Sequence, residues 1–528
     1  MNFFNAENRH VSNVLTLFLI ATCFIYLFSL SYNWKPEWDS AYYLIISKSI
    51  LNGNGFTYLG YPCLKIPFGF PLLISPIIFL TNTNFLALNM LILSFAGLAF
   101  LMIYKTFRSF TSHTYALLIT FFTSFSSLVL YNTGFIMIDI PYLAISFLAL
   151  FLSVSYLKKS SNVRLGIFAV ISLLSAFFLR TVGFALITGI FIHLLLYKRD
   201  FFKKWIFLLM LMLTVIPIAS WLFYSNSKSI DNSDPVWQLP EFLPSKDEYK
   251  RYRFDDPLSK INSPITFVDR GVQNLVYYSA ISMSTVSGLY INPSKENIKR
   301  YPLIVLGLIG FGSLILLSGF LYSLLKLKMP FDLYFLLYLG ILCIWSAREP
   351  RYLIPVFPFL FHYFLTGIFF FVNISLRNFK HSQIFSPIFS LSIVAIISAS
   401  FLLSNVRRDL QIVKNQHQRP YYQPNMTDYF KIVDWVKTNT NPDCRIVSVD
   451  APIMAYFSER YCISFPRVKN SDALLSYLLN INCDFLIISP SSVIERPYLQ
   501  TVLIKYPEYF IKQFSIDQSV VYKFRNRS

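Results

Sequence analysis

The stretch Leu72-Leu73-Ile74-Ser75-Pro76-Ile77-Ile78-Phe79-Leu80 decides how the rest of the chain is threaded. It is apolar, but a helix this short, rising ~1.5 Å per residue, does not cross about 30 Å of hydrocarbon, so it reads as interfacial. Outward from it, charge-free runs long enough to span occur near 12–32, 84–104, 114–131, 140–157, 165–179, 181–197, 205–224, 301–325, 333–347, 352–374 and 383–404. The expected fold is an α-helical polytopic membrane protein of about 11 transmembrane helices. The shortest runs, 165–179 and 333–347, span only if flanking residues snorkel or the bilayer thins.

Composition points the same way. Of 528 residues 55% are hydrophobic and 14% charged, and 54 Phe and 34 Tyr add to the apolar load. The net charge of +19 is spread in short clusters between apolar runs rather than along one basic face, which argues for topology signals and against nucleic acid. The first run is longer than a secretory core and no small-x-small cleavage site follows it, so it reads as an uncleaved anchor. Cysteines at 23, 63, 343, 444, 462 and 483 show no C-x-x-C spacing and suggest no zinc site or redox motif; a Cys444–Cys462 bridge has no support.

Orientation follows from cations in short connections. With the N-terminus inside, the inner connections carry Lys105, Arg108, Lys158, Lys159, Arg164, Lys198, Arg199, Lys203, Lys204, Lys326, Lys328, Arg377 and Lys380, whereas the short outer ones hold Arg180, Arg348 and Arg351. Three long polar regions, 33–83, 225–300 and 405–528, then fall on the outer face. In the tail, strand-like runs at 445–449, 485–489 and 520–524 alternate with helix-like runs at 426–438, 471–480 and 497–505, the pattern of a small α/β domain. The expected division is a membrane part, 1–404, with outer loops 33–83 and 225–300 and interfacial helices in the first of them, followed by an outer domain, 405–528.

The ionisable residues crowd the outer boundary rather than the helix interiors, where only His193 and His362 stand, each read as a packed, hydrogen-bonded side chain. Asp39 or Ser40 suits a helix N-cap ahead of an amphipathic stretch to Leu51. Asp139, at the start of an apolar helix, is favoured by the positive helix end, but an Asp between isoleucines is costly in hydrocarbon and points to a polar cavity. Lys65 reads singly as a solvated loop lysine, Arg180 as a snorkelling anchor, and Arg348 with Glu349 as an exposed charge pair. Together they set two carboxylates and several cations at one membrane level, where arginine and lysine suit phosphate oxygens and a carboxylate suits proton removal from a hydroxyl.

The order Trp38-Asp39-Ser40-Ala41-Tyr42-Tyr43, Asn52-Gly53-Asn54-Gly55 and Lys65-Ile66-Pro67-Phe68-Gly69-Phe70-Pro71 resembles the first outer loop of the dolichyl-phosphate-mannose-protein mannosyltransferase and aminoarabinose transferase-like families, which are multi-spanning C-type glycosyltransferases. Asp139-Ile140-Pro141-Tyr142 resembles their second acidic motif, Arg180-Thr181-Val182-Gly183-Phe184 their Arg-x-x-Gly helix start, and Arg351-Tyr352-Leu353-Ile354-Pro355 their Arg-Tyr-x-x-Pro motif. The sequence departs from the pattern in Pro67-Phe68-Gly69, where Pro-Pro-Gly is usual, and in Ile138, where an acid often stands.

The resemblance implies inverting transfer of a sugar from a polyprenyl-phosphate donor to a glycan, lipid or protein acceptor. Asp39 would be the general base and Asp139 would orient the acceptor or a cation. Lys65, Arg180 and Arg351, with Arg348 and Tyr352 beside them, would hold the leaving phosphate. No cofactor is required by the residues; Glu37, Asp39 and Asp139 leave room for a divalent cation without forming a closely spaced ligand set. Low Gly and high Phe, Ile, Lys and Asn usage fits an AT-rich bacterial genome, so the expected setting is a bacterial inner membrane with the site on the periplasmic face, or alternatively the endoplasmic reticulum. Two rivals remain at this level. A lipid-linked-sugar flippase or polysaccharide transporter predicts charges at the bundle midplane and inverted repeats, neither of which is seen; a non-catalytic assembly protein predicts no special role for Asp39.

Overall fold

The computed structural model describes the chain apart from residues 1–8, 159–161, 198–204, most of 228–262, 288–301, 377–381, 418–425, 490–495, 518 and 526–528. Much of the outer connection 225–300, and the cations Lys159, Lys198, Arg199, Lys203, Lys204, Arg377 and Lys380, lie outside the described residues.

In chain order the helices are α1 (Arg9–Phe28), α2 (Trp38–Leu51), α3 (Gly69–Thr81), α4 (Phe85–Arg108), α5 (His113–Ser124), α6 (Ser127–Thr133), α7 (Asp139–Lys158), α8 (Val163–Leu179), α9 (Gly183–Tyr197), α10 (Trp205–Ser227), α11 (Pro264–Ser287), α12 (Pro302–Tyr322), α13 (Asp332–Ile344), α14 (Phe357–Leu376), α15 (Ser382–His417), α16 (Met426–Asn439), α17 (Ala451–Ser458), α18 (Ser471–Asn480) and α19 (Arg496–Lys505). The strands are β1 (Thr57–Tyr58), β2 (Tyr61–Pro62), β3 (Arg445–Ser448), β4 (Tyr461–Ser464), β5 (Phe485–Ile488), β6 (Phe510–Ile516) and β7 (Ser519–Phe524). They sort into two compact units.

The first unit comprises Met1–Tyr32, Asn89–Ala219 and Asp269–Gln418 and is helical. Among the described residues five helices, Arg9–Phe28, Phe85–Arg108, Asp139–Lys158, Ile309–Leu327 and Pro350–Ser375, are long and apolar enough to cross a bilayer, and α5 with α6 makes a sixth if the bent pair is one span. Val163–Leu179, Gly183–Tyr197, Thr214–Ser225 and Asp332–Ile344 are apolar but shorter, as is α3 in the second unit. α14 is the central helix, with most of its side chains buried, while α1 leaves Leu17, Ile20, Phe24 and Leu27 exposed, as a lipid-facing helix does.

The run expected as one helix over 114–131 is instead broken by 60° between α5 and α6. The backbone groups freed at the break find side chains: Tyr26 Oη donates to the Ser124 carbonyl at 2.8 Å, and Asn405 Oδ1 accepts the Ser127 N–H at 2.9 Å and its hydroxyl at 2.6 Å. A bend at membrane depth persists because these partners satisfy it. The boundary expected between 404 and 405 falls inside α15, which runs on to His417.

The second unit gathers Asn33–Leu88, Ser220–Val268 and Arg419–Ser528. Its sheet has the order β4-β3-β5-β7-β6; β3 pairs in parallel with β4 and β5, and β7 is antiparallel to β5 and β6. Strands were expected at β3, β5 and β7; β4 and β6 extend the sheet on either side, and α17 connects β3 to β4. α2 packs on α17, and β1 and β2 form a small hairpin after α2. All six cysteines are free thiols, Cys444 and Cys462 included.

Candidate active site

Asp139 is the first residue of α7, where the unpaired N–H groups of a helix end favour an anion. Its side chain is 1% exposed, yet two guanidinium groups reach it. Arg180 Nη1 donates to Oδ1 at 2.7 Å, and Arg351 Nη1 lies 3.6 Å from Oδ2. Oδ2 accepts no hydrogen bond among the described residues. The two arginine side chains are 19% and 18% exposed, against 1% for the carboxylate they share.

The turn between α8 and α9 sets where Arg180 leaves the backbone. Arg180 caps α8 in extended conformation, its N–H donating to the Ala176 carbonyl, and the Gly183 N–H donates back to the Arg180 carbonyl at 2.8 Å. A Cβ at Gly183 would lie 2.7 Å from backbone atoms of Ala176 and Phe177, so only glycine lets α9 start this close to α8. Gly189, one further step along α9, meets the Tyr334 backbone at 2.6 Å by the same test and brings α13 against α9.

Arg351 and Tyr352 sit in a 3-10 turn, Pro350–Val356, started by Pro350. The Tyr352 ring lies 4.8 Å from the Arg180 guanidinium carbon and 5.5 Å from that of Arg351. Aromatic faces hold planar guanidinium groups in this way without neutralising them. Tyr338 Oη donates to the Tyr352 carbonyl at 2.6 Å, and the buried Tyr142 and Tyr334 hydroxyls are 3.3 Å apart. Asp139, Arg180, Arg351 and Tyr352 are thus one cluster, and it presents two guanidiniums, the group best matched to the oxygens of a phosphate or carboxylate.

Arg348 is engaged elsewhere. Its Nε donates to Asn274 Oδ1 at 2.5 Å and its Nη2 to Gln273 Oε1 at 2.9 Å. The buried Asn274 also donates to the carbonyls of Leu342, Cys343 and Trp345, so Arg348 belongs to a bracket between α11 and the end of α13 rather than to an exposed pair with Glu349.

In the second unit the cap of α2 is Glu37, not Asp39 or Ser40. Ser40 Oγ accepts the Glu37 N–H at 3.1 Å, which releases Asp39 from capping and leaves it half-buried in the first helical turn. Lys65 is no solvated loop lysine: it is half-buried, with Nζ 5.2 Å over the Trp38 ring. Trp38 stacks on Tyr42 at 5.6 Å, its indole N–H donates to Ser464 Oγ at 3.4 Å, and the Tyr42 hydroxyl lies 3.2 Å from Cys63 Sγ. Lys65 is thereby brought to the residue that precedes Asp39.

Among the described residues no group of three or more His, Cys, Asp or Glu is arranged to hold a metal. At Asp139 the chemistry also opposes one, because a divalent cation would sit beside two guanidiniums that already counter the carboxylate. The residues there do not fit a metal.

Several groups were not visible in the sequence. The tyrosine wall of Tyr142, Tyr334 and Tyr338 has no spacing signal, nor does the Asn274 bracket. His362 is packed and hydrogen-bonded, with Tyr115 Oη at 2.9 Å, and it adjoins an unforeseen buried acid, Asp332, which accepts from Ser323 Oγ, Tyr363 Oη and the Met329 N–H.

No family model and no curated protein matches the sequence. Solved structures do match the fold. ArnT from Cupriavidus metallidurans bound to undecaprenyl phosphate aligns over 97% of this chain and 98% of its own, at 12% identity and a TM-score of 0.53. The apo state of the same protein gives 11% identity and a TM-score of 0.55 over 97% of each chain. The archaeal oligosaccharyltransferase AglB from Archaeoglobus fulgidus, in complex with an inhibitory peptide and a dolichol-phosphate, aligns over 97% of this chain and 74% of its own, at 13% identity and a TM-score of 0.53. Across nearly its whole length, therefore, the chain has the fold of ArnT and AglB, and its resemblance to the multi-spanning C-type glycosyltransferases extends from the loop motifs to the architecture.

Proposed function

We propose that the chain is an inverting glycosyltransferase that moves a sugar from a polyprenyl-phosphate carrier to a glycan, lipid or protein acceptor. The observation that carries this reading is the cluster of Arg180 and Arg351, each partly open, over the buried Asp139 carboxylate and against Tyr352. Such a cluster suits a phosphate leaving group, and the undecaprenyl phosphate and dolichol-phosphate bound by ArnT and AglB support a lipid-linked one.

In this reaction the bond from the acceptor oxygen to the anomeric carbon forms as the bond from that carbon to the phosphate oxygen breaks on the opposite side. Asp39 takes the acceptor proton, and the electron pair leaves with the phosphate. Arg180, Arg351 and Lys65 offset the charge that develops there. Tyr352 packs against the two guanidiniums, and Asp139 serves as their counter-ion. Arg348 acts from outside the cluster, through its bracket to α11. The wider reading includes about 11 spans, an outer-face domain over 405–528, an inside N-terminus and a bacterial inner membrane with the chemistry on the periplasmic side, supported by the cation asymmetry of the connections.

Purified protein supplied with radiolabelled polyprenyl-phosphate sugars tests the proposal. Release of free polyprenyl phosphate with transfer of label supports it; vectorial movement of intact donor in vesicles without cleavage would overturn it in favour of a flippase.

A further inference from the structure

We propose that Trp34 and Ser40 are positioning residues for Asp39, and that the C-terminal α/β layer acts on the chemistry through them. This rests on the reading of Asp39 as the general base.

Ser40 is fully buried, and its hydroxyl has no bonding capacity left. It donates to the Glu37 carbonyl at 2.8 Å and accepts both the Glu37 N–H at 3.1 Å and the Trp34 indole N–H at 3.1 Å. One donor and two acceptor sites are the full inventory of a serine hydroxyl. Two of these bonds close the first turn of α2, the turn that carries Asp39. The third ties that turn to Trp34.

Trp34 is 2% exposed and is held from several sides. Its ring stacks on Phe85 at 5.4 Å and meets Tyr456 edge-on at 4.9 Å and Phe457 at 5.3 Å. Tyr456 and Phe457 belong to α17, between β3 and β4 of the sheet. A continuous path thus runs from the sheet through α17 and Trp34 to Ser40, the residue next to Asp39. Two further links run in parallel: Trp38, on the other side of Asp39, donates to Ser464 at the end of β4, and Lys48, farther along α2, lies 4.2 Å over the Tyr456 ring.

The arrangement answers a physical need. The first turn of a helix has unpaired N–H groups and frays, whereas a general base must keep its carboxylate within about 0.5 Å of the productive position. Packing alone would hold Trp34 with any large ring. The indole N–H on Ser40 is the part that packing does not require, and it is the part that ties the closed turn to Trp34.

The test compares four variants of the full-length protein in the transfer assay, each checked for folding by thermal unfolding: Asp39→Asn, Trp34→Phe, Ser40→Ala and Ser40→Thr. Trp34→Phe keeps a ring and removes the N–H. It is expected to lower kcat on the order of tenfold with the donor KM unchanged, the effect of one lost buried hydrogen bond. Ser40→Ala is expected to lose on the order of a hundredfold in kcat, and Ser40→Thr, which keeps the hydroxyl, to recover most of it. If Ser40→Ala does not fold, Trp34→Phe decides alone. Wild-type kcat in folded Trp34→Phe, with Asp39→Asn inactive, would overturn the positioning role and leave the base intact. Full activity in Asp39→Asn would overturn the base reading, and this proposal with it.

Discussion

Arg180 donates to Asp139 across 2.7 Å, from a side chain that is one-fifth exposed to a carboxylate that is buried. The pair joins the turn between α8 and α9 to the start of α7, and Arg351 approaches the second carboxylate oxygen from a third element at 3.6 Å. The counter-ion is buried and both arginine side chains are partly exposed, an order that suits binding an anion.

Removing either arginine should therefore have unequal effects. Arg180→Ala leaves a buried carboxylate with its remaining partner beyond hydrogen-bonding distance and is expected to destabilise by about 2–4 kcal/mol, whereas Arg351→Ala should cost about 1 kcal/mol. Arg180→Lys and Arg351→Lys should both raise the donor KM by on the order of tenfold, because an ammonium does not reproduce the planar contact with Tyr352. Thermal unfolding in detergent and donor titrations give the two readouts; equal destabilisation by the two alanines would contradict the geometry.

Gly183 offers a steric check on the same turn. Gly183→Val must push a side chain into backbone atoms of Ala176 and Phe177, so it should lower stability by more than about 2 kcal/mol and impair donor binding through Arg180. Gly97→Ala, where nothing lies within 4 Å of a Cβ, should be neutral within about 0.5 kcal/mol or slightly stabilising. Yields and melting temperatures of the two variants separate a requirement for glycine at a close approach from a general sensitivity of the helices.

Lys35 makes stability depend on pH. It is 1% exposed, and burial pushes its pKa down from the usual 10.5 to about 7, partly offset by Glu37. Between those two values the unfolded chain binds the proton that the folded chain lacks, so stability rises with pH from about 7 towards 10.5; below about 7 both states are protonated and the full penalty of the buried charge remains. Lys35→Met should raise the melting temperature by several degrees near neutral pH and flatten this rise. A melting profile over pH 6–10 for both proteins checks it.

Much of this architecture is legible in the sequence because lipid imposes one rule, long charge-free runs, that needs no tertiary knowledge. The run at 84–104 corresponds to Phe85–Arg108, and that at 140–157 to Asp139–Lys158. What escaped depends on distant partners. The bend between α5 and α6 is held by Tyr26, 98 residues from Ser124, and by Asn405, 278 residues from Ser127, so no local pattern announces it. α11 was missed because Asp269 and Arg270 break its hydrophobic run. Within the site, the motifs named Asp139, Arg180 and Arg351 without showing that one carboxylate serves both arginines. The cap of α2 went to Glu37 because the Ser40 hydroxyl bonds back to it, a choice among neighbouring polar residues that spacing does not make.

In the proposed reaction Asp39 removes the acceptor proton while the cation cluster receives the departing phosphate. Its most direct test is single-turnover release of polyprenyl phosphate from labelled donor by folded Asp39→Asn protein, side by side with the wild type at saturating acceptor. A loss on the order of a hundredfold or more with donor affinity retained is the result expected of a missing general base. Release at the wild-type rate would exclude Asp39 as the base.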